Sequence, residues 1–205
     1  NYEIRLQAIC TDENSEWATV TAFIPCESVE LPINEDFEEN TSNFVDCWQR
    51  LYNGTTASPY ISSTQSYSGS KSLYFNCPSS GNYAYAISPR IDDAVDMDNL
   101  MIQFYAYVAT QGHLIEVGVM SDPNDVNSFT KVGQFMPSMI DVWELGEVLT
   151  SNYDGEGRYV ALRVPQWNAN NIFIDDVINN LTEKNIFIAG KIDNETRKKL
   201  TKKNI

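Results

Sequence analysis

Two acidic motifs hold the residues of this chain best suited to chemistry: Asp36-Phe37-Glu38 and, far downstream, Ile174-Asp175-Asp176-Val177. The sequence between them is strand-like. In an antiparallel sandwich the first and last strands often run side by side, which would bring Glu38 to Asp175 or Asp176. Carboxylates that meet at the edge of an apolar core repel unless something neutralises them. A hard cation is the simplest neutraliser, and calcium takes about six to eight oxygens, so backbone carbonyls would have to join the acids. Strict alternation over 172–178 puts residues 173, 175 and 177 on one face and 172, 174, 176 and 178 on the other. Both faces are otherwise apolar, so at least one aspartate must face a core, where an unpaired carboxylate is costly. The expectation is a structural calcium clasp built on Asp36, Glu38, Asp175 and Asp176. The blander alternative is two exposed strand-end acids, one of them accepting from a backbone amide.

Paired carboxylates also serve glycoside hydrolysis, but nothing around these acids supports catalysis. His113 is the only histidine. It follows Gly112 at the opening of a strand and reads as a solvent-exposed hairpin residue. There is no HExxH, P-loop or GxSxG pattern. No catalytic residue is assigned, and the chain reads as a non-enzyme. The acid run Asp92–Asn99 lacks the glycine and closing glutamate of an EF-hand and reads as a solvated loop.

Aromatic residues offer a different chemistry, because flat sugar faces stack on Trp and Tyr rings. Trp167 stands in the polar stretch Pro165–Asn171 with Asn168 and Asn170 beside it, and an aromatic platform flanked by amides suits a sugar. Tyr60, Tyr83 and Tyr85 are further candidates. Trp48 and Trp143 fall in strand patterns and read as core.

Strands must position these groups. Apolar runs recur at 72–76, 83–88, 100–108, 114–120, 129–135, 143–149, 159–164 and 172–178, with turn residues between them. Leu100–Val108 alternates cleanly, with aliphatic residues or Phe at the even positions and Met, Gln and Tyr at the odd ones. No helical period persists. The pattern predicts an all-β, two-sheet antiparallel jelly-roll sandwich over 28–180.

Residues 1–27 read as two strands. Their Tyr2, Leu6 and Ala8 alternation, followed by Ser15-Glu16-Trp17, resembles the last hairpin of a fibronectin type III domain, with Tyr2 as its corner tyrosine. Residues 181–205 differ again, holding seven Lys/Arg against three Asp/Glu in a chain of net charge −14, and read as a mobile basic tail. The chain reads as a piece of a longer polypeptide. Its acidity, with pI near 4.3, argues against nucleic acid or an anionic membrane as partner. No apolar run approaches the length of about 18 residues that a membrane helix needs.

The cysteines are Cys10, Cys26, Cys47 and Cys77, with no CxxC pair. Two disulfides in an exported protein are expected, with reduced buried thiols as the alternative; four cysteines allow three pairings, and sequence neighbourhood favours Cys10–Cys26 and Cys47–Cys77.

A resemblance rests on the order of several motifs. These are Leu31-Pro32 with Glu35-Asp36-Phe37-Glu38, then Cys47-Trp48, Ser68-Gly69-Ser70-Lys71-Ser72-Leu73, Ser88-Pro89-Arg90-Ile91-Asp92, Glu116–Pro123 and Ile172–Val177. Together they resemble the MAM-like jelly-roll domains of bacterial surface proteins, including the cleaved adhesin domains of gingipains. The resemblance covers nearly all of 28–178. It implies an exported, non-catalytic sandwich with structural calcium, often strung beside fibronectin type III modules. It also places the turn with Ser68 and Lys71 near the acidic clasp, as a source of further ligands. The expected function is a secreted or cell-surface adhesin or carbohydrate-binding module that binds a glycan or glycoprotein next to other domains of the same polypeptide. The alternatives are a spacer or assembly domain, or an accessory domain of a surface protease or glycosidase.

Overall fold

The structure is a computed structural model that describes residues 2–7, 9, 15–22, 26–40, 44–53, 58–77, 81, 83–165 and 169–182. Cys10, Trp167, Asn168 and the basic tail from 183 onward lie outside the described residues. In chain order the strands are β1 (Tyr2–Leu6), β2 (Ala18–Ala22), β3 (Ile33–Glu35), β4 (Gln49–Tyr52), β5 (Tyr60–Ser62), β6 (Ser72–Cys77) and β7 (Ala84–Ile87). They continue with β8 (Leu100–Val108), β9 (Ile115–Met120), β10 (Phe129–Phe135), β11 (Glu144–Leu149), β12 (Tyr159–Val164) and β13 (Ala169–Leu181). No helix among the described residues is long and apolar enough to cross a membrane.

β1 and β2 pair antiparallel as a separate two-stranded sheet, with Tyr2 opposite Ala22. The remaining strands form two antiparallel sheets. One has five strands in the order β10-β9-β12-β7-β4. The other has the order β11-β8-β13-β6-β5, with β3 added against β13. Alternation dictates which side chains meet between them. Along β8, Leu100, Ile102, Phe104, Ala106 and Val108 are fully buried, while the residues between them are half-buried. Their partners in the core come from the inward positions of the other sheet: Ala84 and Ala86, Ile115, Val117 and Val119, and Val160, Leu162 and Val164. Burial of these aliphatic side chains, each stabilising by roughly 1.5–3 kcal/mol, holds the layers together. The five-stranded sheet is also partly covered on its other face, where Tyr85, Ile87, Met120 and Ala161 form a smaller apolar cluster with Phe129 and Tyr159 packed on it.

The long strands match the apolar runs of the sequence. Three departures have physical causes. First, β3, β4 and β5 span only three or four residues each, too few to show a period.

Second, β13 is longer than its apolar run and contains a bulge. Asp175 faces Tyr105 and Ile178 faces Gln103, so three steps on β13 match two on β8. Asp176 absorbs the extra residue with a φ of 47°. The alternation expected through 172–178 is therefore broken. Val177 joins Ile172 and Ile174 in the core instead of sharing a face with Phe173 and Asp175.

Third, the expected disulfide pairing is corrected. Cys26 bonds Cys47, and Cys77 is a buried free thiol. Hydrogen bonds Val29 N to Arg90 O and Asp92 N to Val29 O lay the chain around 29 along 90–92. That brings Cys26 to the turn before β4, with Cα atoms of Cys26 and Cys47 5.6 Å apart. Cys77 ends β6 pointing inward, where burial pushes its thiol pKa up to about 11. Proximity in sequence was the wrong guide, because the sheets set which cysteines meet.

Candidate functional site

The sandwich does bring the two acidic motifs together through the turn at 66–71, but each carboxylate finds its own donors. Glu38 Oε1 accepts from the amides of Ser70 at 2.8 Å and Lys71 at 2.6 Å, and Oε2 accepts from Ser70 Oγ at 2.9 Å. These bonds, the Ser70 amide first, hold Glu38 below the usual carboxylate range. The turn fits because Gly69 has φ +56°, and a Cβ there would stand 2.4 Å from Glu38 Cδ. Asp175 is fully buried. Its Oδ2 accepts from the amides of Tyr67 at 2.7 Å and Ser68 at 3.2 Å, and its Oδ1 from the amide of Asp176 at 2.9 Å. Burial nevertheless pushes its pKa up to about 6. Ser68 Oγ donates to Asp176 Oδ1 at 2.8 Å, and Asp36 Oδ1 accepts from the Glu38 amide at 3.1 Å.

Lys71 places a positive charge of the chain's own here. Its Nζ donates to the carbonyls of Glu38 at 2.7 Å and Asn40 at 3.0 Å. Carbonyl oxygens of this kind would supplement acids around a calcium ion. Among the described residues no group of three or more carboxylates, imidazoles or thiols converges so as to hold a metal. The six residues of the expected metal set are thus neighbours, but as placed they do not fit a calcium cage. Ser68 acts as a donor, and Lys71 occupies two carbonyls with its ammonium group.

A cleft that a ligand could enter lies elsewhere, on the outward face of the five-stranded sheet. It has a volume of about 540 Å³ and is walled by Tyr83, Tyr85, His113, Glu116, Arg163 and Pro165. Cross-strand register builds its floor: Arg163 on β12 faces both Tyr85 on β7 and Glu116 on β9. Arg163 Nε donates to Glu116 Oε2 at 2.6 Å, and its Nη1 donates to Tyr85 Oη at 3.0 Å. The guanidinium also sits 4.3 Å from the centroid of the Phe129 ring. Lys131 Nζ donates to Glu116 Oε1 at 2.8 Å. Burial pushes the Glu116 pKa up, but the bonds and charges of Lys131 and Arg163 outweigh it and leave the carboxyl below its ordinary range. The floor is therefore a pre-set charged row in which two cations flank one carboxylate.

The walls are different. The Tyr83 and Tyr85 rings meet edge to face at 5.4 Å. His113, expected to be exposed, is 7% exposed. Burial lowers its pKa, so it is neutral near pH 7, and its Nε2 is buried with no hydrogen-bond partner. A neutral imidazole nitrogen can donate or accept, but Nε2 as placed is buried and does not open to the cleft.

Of the expected ligand-binding residues with described side chains, Tyr83 and Tyr85 line this cleft. Tyr60 is on β5 of the other sheet, and Asn170 lies in β13. Tyr85 is 3% exposed and lies at the base of the cleft. His113, Glu116 and Arg163 were not singled out as ligand groups. A hint was available for the last two: opposite charges at outward positions of adjacent strands.

No family model matches the chain, and no curated protein matches it. Solved structures do. The K1 cleaved adhesin domain of Lys-gingipain from Porphyromonas gingivalis W83 aligns with a TM-score of 0.57 at 16% identity, over 74% of this chain and 99% of that one. The K2 domain of Lys-gingipain gives 0.56 at 17%, over 74% and 100%. The K3 domain from the same P. gingivalis strain as K1 gives 0.52 at 16%, over 72% and 95%. At such identities the likeness is one of fold, and it falls on the group of domains to which the motif order pointed. The chain folds as a jelly-roll sandwich of the kind seen in the gingipain cleaved adhesin domains.

Proposed function

We propose that this chain is a non-catalytic carbohydrate-binding or adhesin module of an exported bacterial protein, and that it binds a glycan through the cleft on the five-stranded sheet. The observation that carries the reading is the unpartnered His113 Nε2 in a wall shared with Tyr83 and Tyr85. The half-buried Tyr83 ring offers a sugar its apolar contact, and the His113 imidazole would meet a hydroxyl once its ring turns Nε2 toward the cleft. The Arg163–Glu116–Lys131 row is hydrogen-bonded within itself and orients Tyr85, and its two cations against one carboxylate leave one positive charge in the floor. A fold shared with adhesin domains supports the same reading, as does a net charge of −14, which disfavours anionic partners.

The test is a glycan array and titration calorimetry with the wild type, Tyr83→Ala and Trp167→Ala. Tyr83→Ala is expected to weaken binding by up to about tenfold, the value of one aromatic contact. A wild-type protein that recognises no glycan removes the proposal. Loss on Trp167→Ala alone would move the site to the 165–171 stretch.

A further inference from the structure

The outward face of the second sheet carries a feature that the cleft does not use. Tyr60 on β5 faces Tyr74 on β6, Tyr74 faces Phe173 on β13, and Phe173 faces Tyr107 on β8. Trp143, the residue before β11, extends the row with its ring centroid 5.6 Å from that of Tyr107. Successive ring centroids along the rest of the row are 5.0, 4.9 and 5.8 Å apart. Five aromatic side chains thus lie in register across the sheet. Four inter-strand steps of about 4.8 Å make the row about 19 Å long.

We propose that this row is a second carbohydrate surface, suited to an extended, neutral polysaccharide lying across the strands. The proposal rests on the glycan-binding reading and extends it from a cleft to an open strip. Cross-strand aromatic pairs stabilise a sheet by roughly 0.2–1 kcal/mol each, but that role requires only that neighbours touch. Here Phe173 alone is buried, while Tyr60, Tyr74, Tyr107 and Trp143 keep part of their surface open. Polar groups border the strip. Tyr74 Oη donates to Asn171 Oδ1 at 3.1 Å, and Tyr107 Oη donates to Asp141 Oδ1 at 2.7 Å, and both acceptor residues are exposed. A border of fixed oxygen acceptors calls for a ligand rich in hydroxyl donors and repels an anionic one. The occupant that fits rings along the middle and acceptors along the edge is an uncharged sugar chain.

The experiment uses affinity gel electrophoresis in soluble xylan, mixed-linkage glucan, galactan and glucomannan, with oligosaccharide titrations beside it. The proteins are wild type, the double variant Tyr60→Ala/Trp143→Ala at the ends of the row, and Tyr83→Ala in the cleft. The double variant is expected to lose about tenfold in affinity for one of the polysaccharides while oligosaccharide binding stays unchanged. Tyr83→Ala is expected to weaken oligosaccharide binding by up to about tenfold. Hydroxyl-radical footprinting of the wild type needs no variant, and the bound polysaccharide should protect Tyr60, Tyr107 and Trp143. Polysaccharide binding with no protection there, or with no effect of the double variant, overturns the strip and leaves the cleft standing. Binding of no sugar by the wild type overturns both.

Discussion

Glu116 and Asp175 are both buried carboxylates at outward positions, one on each sheet, and the sandwich treats them in opposite ways. Glu116 has two cations, Lys131 and Arg163, and its pKa is lowered. Asp175 has three backbone amides and no cation, and its pKa is pushed up to about 6. Amide dipoles satisfy the lone pairs of a carboxylate, but against full burial they do not restore what water gave its charge. A neighbouring cation does.

The largest test of this contrast is pH. The folded pKa of Asp175 lies above its unfolded value. Between about pH 4 and pH 6 the folded state keeps a proton that the unfolded state has released, so stability falls as pH rises. A shift of about two units corresponds to about 3 kcal/mol. Urea unfolding of the wild type minus Asp175→Asn, from pH 4 to pH 7.5, should show this decline, and a flat difference would mean Asp175 is solvated. Glu116 carries the opposite sign. Its stabilisation is present above the unfolded pKa and is lost as pH falls through its depressed folded value, so Glu116→Gln should flatten only the acid limb.

Removing the cations should come next in size. Arg163→Met leaves Glu116 with one partner, and at this partly exposed site we expect a loss of about 2 kcal/mol at pH 7. Lys131→Met, at a more exposed partner, should cost under about 1 kcal/mol. Equal costs in chemical denaturation would show that the two cations share Glu116 evenly.

On the other sheet, Gly69→Ala should cost about 1–2 kcal/mol, because the residue holds a left-handed φ and its new Cβ meets Glu38. A melt that does not move would mean the 66–71 turn can relax away from Glu38. The smallest effects concern Lys71 and calcium. Lys71→Met should lower Tm by about 2–4 °C, corresponding to about 1 kcal/mol. Adding EDTA to the wild type should leave Tm within about 2 °C, and a larger fall would assign the clasp to an ion instead of Lys71.

Much of the fold was legible where side chains obey one period without interruption. Leu100–Val108 is the clearest case: the alternation in its sequence is the alternation of its burial. The acidic motifs were legible as neighbours for a related reason, since the final long strand pairs with the strand just before Asp36. How their charge is balanced was not, because the donors are backbone amides of a turn, and backbone groups leave no mark in side-chain patterning. His113 was misread because the glycine before it suggested an open turn, whereas the turn folds its ring against the cleft. The disulfide was hidden for another reason. Which cysteines meet depends on the bridge between Val29 and Ile91, a contact with no local signature.

The bulge on β13 has a consequence for how the strand tolerates changes in length. Asp176 is the residue the ladder skips, since Asp175 and Ile178 face partners only two apart. Deleting a residue between Ile172 and Asp175, where the ladder is regular, would reverse the facing of everything beyond it. Deleting Asp176 would leave Val177 inward and Ile178 outward, at the cost of the partner of Ser68 Oγ and of the amide that Asp176 gives to Asp175 Oδ1. The stretch from Ile172 to Leu181 can therefore be read as a regular strand into which a single residue has been admitted, and that residue is free to serve the turn at 66–71 because the ladder makes no demand on it.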